Sequence, residues 1–162
     1  MHDVRVPPAD SDAIRAVYER SGARLWRSVR AFSGSTDVAD EAVAEAFAQA
    51  LRRGSALRDP EAWVWRTAFV IARADLGRRR SAHRGTVVDD VSVGFDAPFT
   101  DLTPLLALSD SDRHLLVLRH IGGYEAGEIA SLLGVSAGAI RVRLHRARAR
   151  ARRLLTEGET DG

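Results

Sequence analysis

The densest chemistry in this 162-residue sequence lies near its C-terminal end, where Arg141, Arg143, His145, Arg146, Arg148, Arg150, Arg152 and Arg153 crowd into one stretch. A guanidinium is a permanently charged fork that donates paired hydrogen bonds to phosphate or to the O6 and N7 edge of guanine. No acid interrupts residues 129–156, whereas a solvated structural face would ordinarily mix in glutamates. The chemistry implied is recognition of a polyanion, not the making or breaking of bonds. Groups for the latter are scarce. There is no cysteine, which excludes disulfides, thiolate zinc sites and cysteine nucleophiles. There is no Gly-x-Ser-x-Gly, no glycine loop for phosphates and no pair of histidines at metal-ligand spacing. His114 and His120 are six apart and fall on different faces of a helix. No catalytic residue, metal ligand, cofactor or small-molecule substrate is expected.

These arginines need a rigid element to present them. Ile140, Leu144, Ala147, Ala151 and Leu154 recur at 4-3-4-3 spacing, the buried stripe of an amphipathic helix, which turns the basic residues outward. Upstream, Ala130 is small enough for two helices to cross closely, Gly134 can take the left-handed conformation of a tight turn, and Ile140 plugs the angle between the helices. Ser136 supplies the N-cap of the second helix. This spacing predicts a helix-turn-helix within a module running from 104 to 156. Thr103-Pro104 fits an N-cap and first helical position. Ser109-x-x-Asp112 reads as a capping box ahead of Leu115 to Leu118, and Gly122-Gly123 ends that helix.

Three further helices are expected over residues 11–80. Ile14, Val17, Tyr18, Leu25, Val29 and Phe32 mark the first, which Gly22 interrupts; Val38 to Leu51 mark the second, running to about Arg53; Trp63, Val64, Phe69, Ile71 and Leu76 mark the third, from Glu61 into Arg78-Arg79-Arg80. Residues 81–103 show no sustained period, and Gly85, Gly94, Pro98 and Asp89, Asp90, Asp96 and Asp101 mark a flexible linker. The expected fold is all-α, with two small helical modules. Net charge is +2, but residues 11–80 carry +4 and residues 104–156 carry +5, against −3 in residues 81–103. All 24 basic residues are arginine, a bias that genomic coding composition is enough to explain. The N-terminus offers acids and prolines where a signal peptide needs an apolar run, and no stretch is apolar enough to span a bilayer. A cytoplasmic protein without membrane insertion is expected.

Val135 to Arg148 resembles the end of region 4 of bacterial sigma-70 proteins, particularly the small extracytoplasmic-function type. LuxR-type regulators share a related helix-turn-helix, so the upstream module arbitrates. There, Ala39 to Phe47 is similar to the polymerase-binding helix of sigma region 2, and Asp59 to Ala68 to its promoter-melting helix. The resemblance spans residues 11–155, with the parts in the family's order.

It implies a factor that binds core RNA polymerase, at the beta-prime clamp helices and the beta flap, and directs it to promoter DNA, with an anti-sigma factor as a further partner. Asp40, Glu41 and Glu45 would line the polymerase surface, with Glu45 favoured because acids in a helix's first turns also serve its dipole. The loop from Arg53 to Ala62, including Arg58, would hold a base flipped from the minus-10 element, and capture of that base offsets the cost of opening the duplex. Trp63 is expected in the core and Trp65 as a stacking or wedging residue, with packing about equally open to it. Arg66, Arg78, Arg79 and Arg80 would attract phosphates. Minus-35 readout would fall to Arg141, Val142, His145 and Arg146, with Arg143 and Arg148 on the backbone. Two positions depart from the family: Val70 stands where an asparagine is common, and Val142 where a small polar residue is usual. The linker aspartates could mimic nucleic-acid charge on the polymerase, though plain solvation is the simpler account.

Two rivals remain. One is a helix-turn-helix regulator acting without polymerase, which would normally need a sensor or dimerisation domain. The other is a sigma-like protein that binds core but does not initiate.

Overall fold

The computed structural model describes residues 8–82 and 103–160, so the acidic stretch with Asp89, Asp90, Asp96 and Asp101 lies outside the described residues. Within them there are six α-helices and no strand: α1 (Pro8–Ser33), α2 (Thr36–Arg53), α3 (Pro60–Ala82), α4 (Asp110–His120), α5 (Ala126–Leu133) and α6 (Ala137–Thr160). Short 3-10 turns cover Gly54–Ala56 and Thr103–Ala107. The latter stands where Thr103-Pro104 suggested the start of a helix. α1 is continuous through Gly22, whose missing side chain lets the Tyr18 ring lie alongside.

α1, α2 and α3 pack mutually because each offers a stripe at helical spacing: Leu25, Val29 and Phe32; Val38, Ala42, Ala46 and Ala50; Val64, Ala68 and Ala72, all buried. Alanine dominates the α2 stripe and allows close approach of its neighbours. The second group is organised by α4, whose Leu115 and Leu118 are buried, with α5 and α6 closing over it. Ser109 caps α4 by accepting from the Asp112 amide at 3.2 Å. Only this half of the expected capping box forms, because the Asp112 carboxylate turns to Arg150 of α6 at 2.6 Å.

The two groups share one core. Phe32 of α1 and Phe69 of α3 meet edge-on at 5.4 Å, and His114 of α4 stacks on Phe69 at 4.2 Å. Tyr124 meets Trp65 edge-on at 4.9 Å. Arg113, only 1% exposed, crosses the same seam. Its Nε donates to the Phe32 carbonyl at 2.6 Å, one Nη to the Leu108 carbonyl at 2.9 Å and the other to Asp110 at 2.9 Å, with the guanidinium over the Phe32 ring. A buried cation is tolerable only when its donors are satisfied in this way. Burial holds Arg113 below the ordinary guanidinium value, and Asp110 opposes that shift. Gly122 is buried against the Leu118 carbonyl and the Trp65 ring, where an added Cβ would come within 2.7 and 3.2 Å.

Candidate nucleic-acid interface

α5 and α6 are joined by the turn that the sequence spacing predicts. Gly134 takes φ 70° and ψ 33°, the left-handed conformation, and its N–H returns to Ala130. Ser136 then opens α6, its hydroxyl accepting from the Ala139 amide at 3.2 Å. Ile140, Leu144 and Ala147 are buried, while Ala151 and Leu154 are partly so. Fully burying one such aliphatic side chain stabilises by about 1.5–3 kcal/mol, which fixes the rotation of α6 about its axis.

That rotation exposes Arg141, Val142, Arg143, His145 and Arg146 on one continuous surface, with Val142 at 49% exposure. Arg148 is half-buried and lies near His120, whose imidazole is held below its ordinary pKa by burial and by the charges of Arg148 and Arg119. Arg150 is neutralised by Asp112. The helix therefore has a free basic face toward its N-terminal half, and further on Arg150 is compensated while Arg152 and Arg153 are exposed. This is the division needed by a recognition helix, whose first turns reach base edges.

The expected minus-10 residues divide differently. Arg58 and Arg66 are exposed. Trp65 is fully buried against Tyr124, beneath the Arg24 guanidinium at 5.5 Å. It cannot receive a base in this arrangement, so the stacking role does not fit it. The reason is its place in the α3 stripe Trp65, Phe69, Ala72 and Leu76, a 4-3-4 spacing that was readable in the sequence. Trp63, expected in the core, is half-buried instead, with Arg53 over its ring at 5.1 Å. The arginine trio is also less available than its clustering suggests. Arg78 and Arg79 both pair with Asp75, at 3.3 and 3.4 Å, and Arg80 reaches Asp110 of α4 at 3.0 and 3.2 Å. The hydrogen bond and charge of Arg80, with those of Arg113, keep the Asp110 carboxyl below its usual range.

On α2, Asp40, Glu41 and Glu45 are exposed on the face away from the core. Asp40 accepts from the Trp26 indole at 2.7 Å. Glu45 accepts from Gln49 at 2.9 Å and Arg52 at 3.1 Å, which lowers its pKa.

α3 and α6 face each other across an open cleft of about 1020 Å³, lined by Arg66, Val70 and Arg73 on one side and Arg143, Arg146 and Arg150 on the other. Val70, at 67% exposure, is an apolar residue on this otherwise charged wall. The sequence marks neither Arg73 nor Arg113, because nothing local singles out a residue whose partners lie in another helix, and it offers His114 only as half of a histidine pair that does not fit a metal. Burial and the charge of Arg73 push the His114 imidazole down to about 3.

The family profile described as Sigma-70, region 4 matches residues 105–150, the helices just built. Over 154 residues the chain is 29% identical to the ECF RNA polymerase sigma factor SigM of Mycobacterium tuberculosis, covering 90% of this chain and 79% of that one. In its C-terminal helices and along most of its length the chain is thus similar to sigma-70 proteins of the extracytoplasmic-function type. A second ECF sigma factor of the same organism, SigL, is 28% identical over 156 residues, 85% of each chain. Among solved structures, CnrH in complex with the cytosolic domain of CnrY superposes with a TM-score of 0.70 at 26% identity, covering 91% of this chain and 90% of that one. RpoE in complex with the anti-sigma factor NepR, from Bartonella quintana, gives 0.68 at 20% identity, covering 90% and 96%, a likeness of fold. No helix among the described residues is long and apolar enough to cross a membrane.

Proposed function

We infer that the protein binds core RNA polymerase and directs it to specific promoters for initiation. The observation that carries this is the unpaired basic face of α6, set by the Gly134 turn in the region that matches sigma region 4. Arg141, His145 and Arg146 would read the minus-35 element in the major groove, with Val142 against a thymine methyl and Arg143 and Arg148 on the phosphates. The exposed acids Asp40, Glu41 and Glu45 suit the beta-prime clamp helices of polymerase, and α4 to α6 the beta flap. Arg58, Arg66 and the half-buried Trp63 suit the minus-10 strand, while Arg78 and Arg79 would reach phosphates only after leaving Asp75.

Residues 11–80 and 104–156 would act as two promoter contacts tethered through 81–103. In the closed arrangement both basic surfaces share one cleft, so engaging two separated DNA elements requires α1–α3 and α4–α6 to part. Polymerase, by holding the two units apart, would supply the spacing, and the weak separate contacts would then act as one strong one. Sigma factors are non-enzymatic regulators of transcription. An anti-sigma factor is a fitting partner, as both neighbouring structures are complexes and one names such a factor. Action in the cytoplasm follows from this role.

Purified protein should pull down core polymerase and, with it, start transcripts on a subset of genomic promoters. Duplex binding without association with core would overturn this reading in favour of a free regulator. Association without transcripts on any genomic promoter would point to a sigma-like protein that does not initiate.

A further inference from the structure

The cleft between α3 and α6 is electrostatically unbalanced. Five arginines line it: Arg66, Arg73, Arg143, Arg146 and Arg150. Asp112 is the single acid among the lining residues, and its carboxylate is committed to Arg150 at 2.6 Å. Arg66, Arg143 and Arg146 pair with no other described residue, and Arg73 reaches only the Nδ1 of His114, at 3.4 Å. Four guanidiniums therefore face one open space with no carboxylate to balance them. Their mutual repulsion opposes the packing of α3 against α4–α6. The neighbours register the field: the charge of Arg73 adds to burial in keeping both His114 and Arg113 below their ordinary values.

We propose that this cleft binds a polyphosphate anion, the phosphoanhydride chain common to nucleoside triphosphates and linear polyphosphate, and that the bound anion holds α1–α3 closed on α4–α6. Guanidinium forks match phosphate oxygens pairwise, and such charge-assisted bonds are about twice as strong as neutral ones. A chain of linked phosphates places several charges on one short scaffold and can reach both walls, which a single small anion cannot. The cleft volume of about 1020 Å³ sits at the upper end of ligand sites, roughly 300–1,000 Å³. Val70, Leu133 and Val135 give part of the lining an apolar surface on which a nucleoside could rest. Because the site needs arginines from both helices, the anion binds the closed arrangement and not the separated one, and so shifts the population toward closure. The site requires only the closed packing. Its consequence, competition with promoter DNA for Arg143 and Arg146, rests on the sigma-factor reading, which the core pull-down tests separately.

The absence of native cysteine makes the test direct. Cysteines introduced at Ala44 and Leu155, exposed on α2 and α6, take a donor and acceptor dye on the full chain. Sodium tripolyphosphate should bind saturably by calorimetry and raise the urea midpoint at which energy transfer is lost. Arg73→Glu should weaken binding at least tenfold and Arg73→Gln less, in the same direction. Arg152→Glu, exposed on α6 outside the cleft, should change it less than twofold. Tighter binding of ATP or GTP than of tripolyphosphate would assign the apolar wall to a base, and equal binding would assign the site to the phosphate chain alone. No saturable binding, equal weakening by Arg73→Glu and Arg152→Glu, or an unmoved midpoint at saturation would each overturn the proposal. So would a single-stranded DNA pentamer that binds more tightly and raises the same midpoint, which would make the cleft a nucleic-acid site.

Discussion

The C-terminal end of α3 and the N-terminal half of α6 are equally rich in arginine, yet they are different surfaces. Arg78, Arg79 and Arg80 each have a carboxylate within 3.4 Å, two of them sharing Asp75 and the third borrowing Asp110 from across the seam. Arg141, Arg143 and Arg146 have none among the described residues. Density of charge along a sequence does not measure charge available to a ligand. What decides it is whether the neighbouring helix brings acids to the same face, and α6 packs through Ile140, Leu144 and Ala147 onto apolar partners that bring none.

The sharpest way to break this contrast is to remove the free set. Arg141→Ala with Arg146→Ala should lower promoter affinity of the holoenzyme by about thirtyfold or more, as each base contact is worth about 1–3 kcal/mol. Core binding in the pull-down should stay intact. If both are lost together, these arginines serve the fold and the two surfaces are alike.

A second test concerns the ring beneath Arg73. His114 is held neutral, its pKa lowered to about 3, so the unfolded chain takes up protons first on acidification. Stability from this group is fully present above about pH 6.5 and declines as pH falls toward 3, by at most about 1.4 kcal/mol per pH unit. Urea unfolding at pH 7 and pH 5 should show a drop of up to about 2 kcal/mol, which His114→Phe should reduce. An unchanged drop in the variant would put the acid sensitivity elsewhere, at His120 for example, whose pKa burial also lowers. Asp110 would not account for it, since its lowered pKa keeps its contribution until the pH falls below the usual carboxylate range.

The contrast can also be reversed. Asp75→Asn should free Arg78 and Arg79 and raise non-specific DNA affinity a few-fold at low salt, with a steeper salt dependence of roughly 0.9 per added phosphate contact. No change in the salt slope would mean that these arginines point away from DNA even when unpaired. The smallest effect belongs to Arg80→Ala. Its pair with Asp110 is more than half exposed on the arginine side, and such pairs are worth about 0–1 kcal/mol. A melting shift larger than about 4 °C would show that this bridge holds the seam more firmly than its exposure indicates.

The helix-turn-helix was legible because its signals are local. Gly134 must supply the left-handed residue, Ser136 must cap and Ile140 must plug the crossing, all within eleven residues of Ala130. The outward face of α6 followed from spacing alone. The seam was not legible, because Arg113 reaches Phe32 and Trp65 reaches Tyr124 over long stretches of chain, and no periodicity encodes those meetings. Trp65 is intermediate: its stripe with Phe69, Ala72 and Leu76 announced burial, but the expectation of a stacking residue set that spacing aside. Arg150 and Asp112 illustrate the same limit, since an acid in α4 removed a charge that looked free in α6.

The buried indole of Trp65 has an N–H with no partner among the described residues. All three tryptophans of the chain lie in α1 and α3, and Trp65 alone is sealed by a residue of the opposite group, Tyr124. The protein therefore carries its own optical gauge. When the groups part, water reaches this indole and its emission moves to longer wavelength, so opening can be timed without any label.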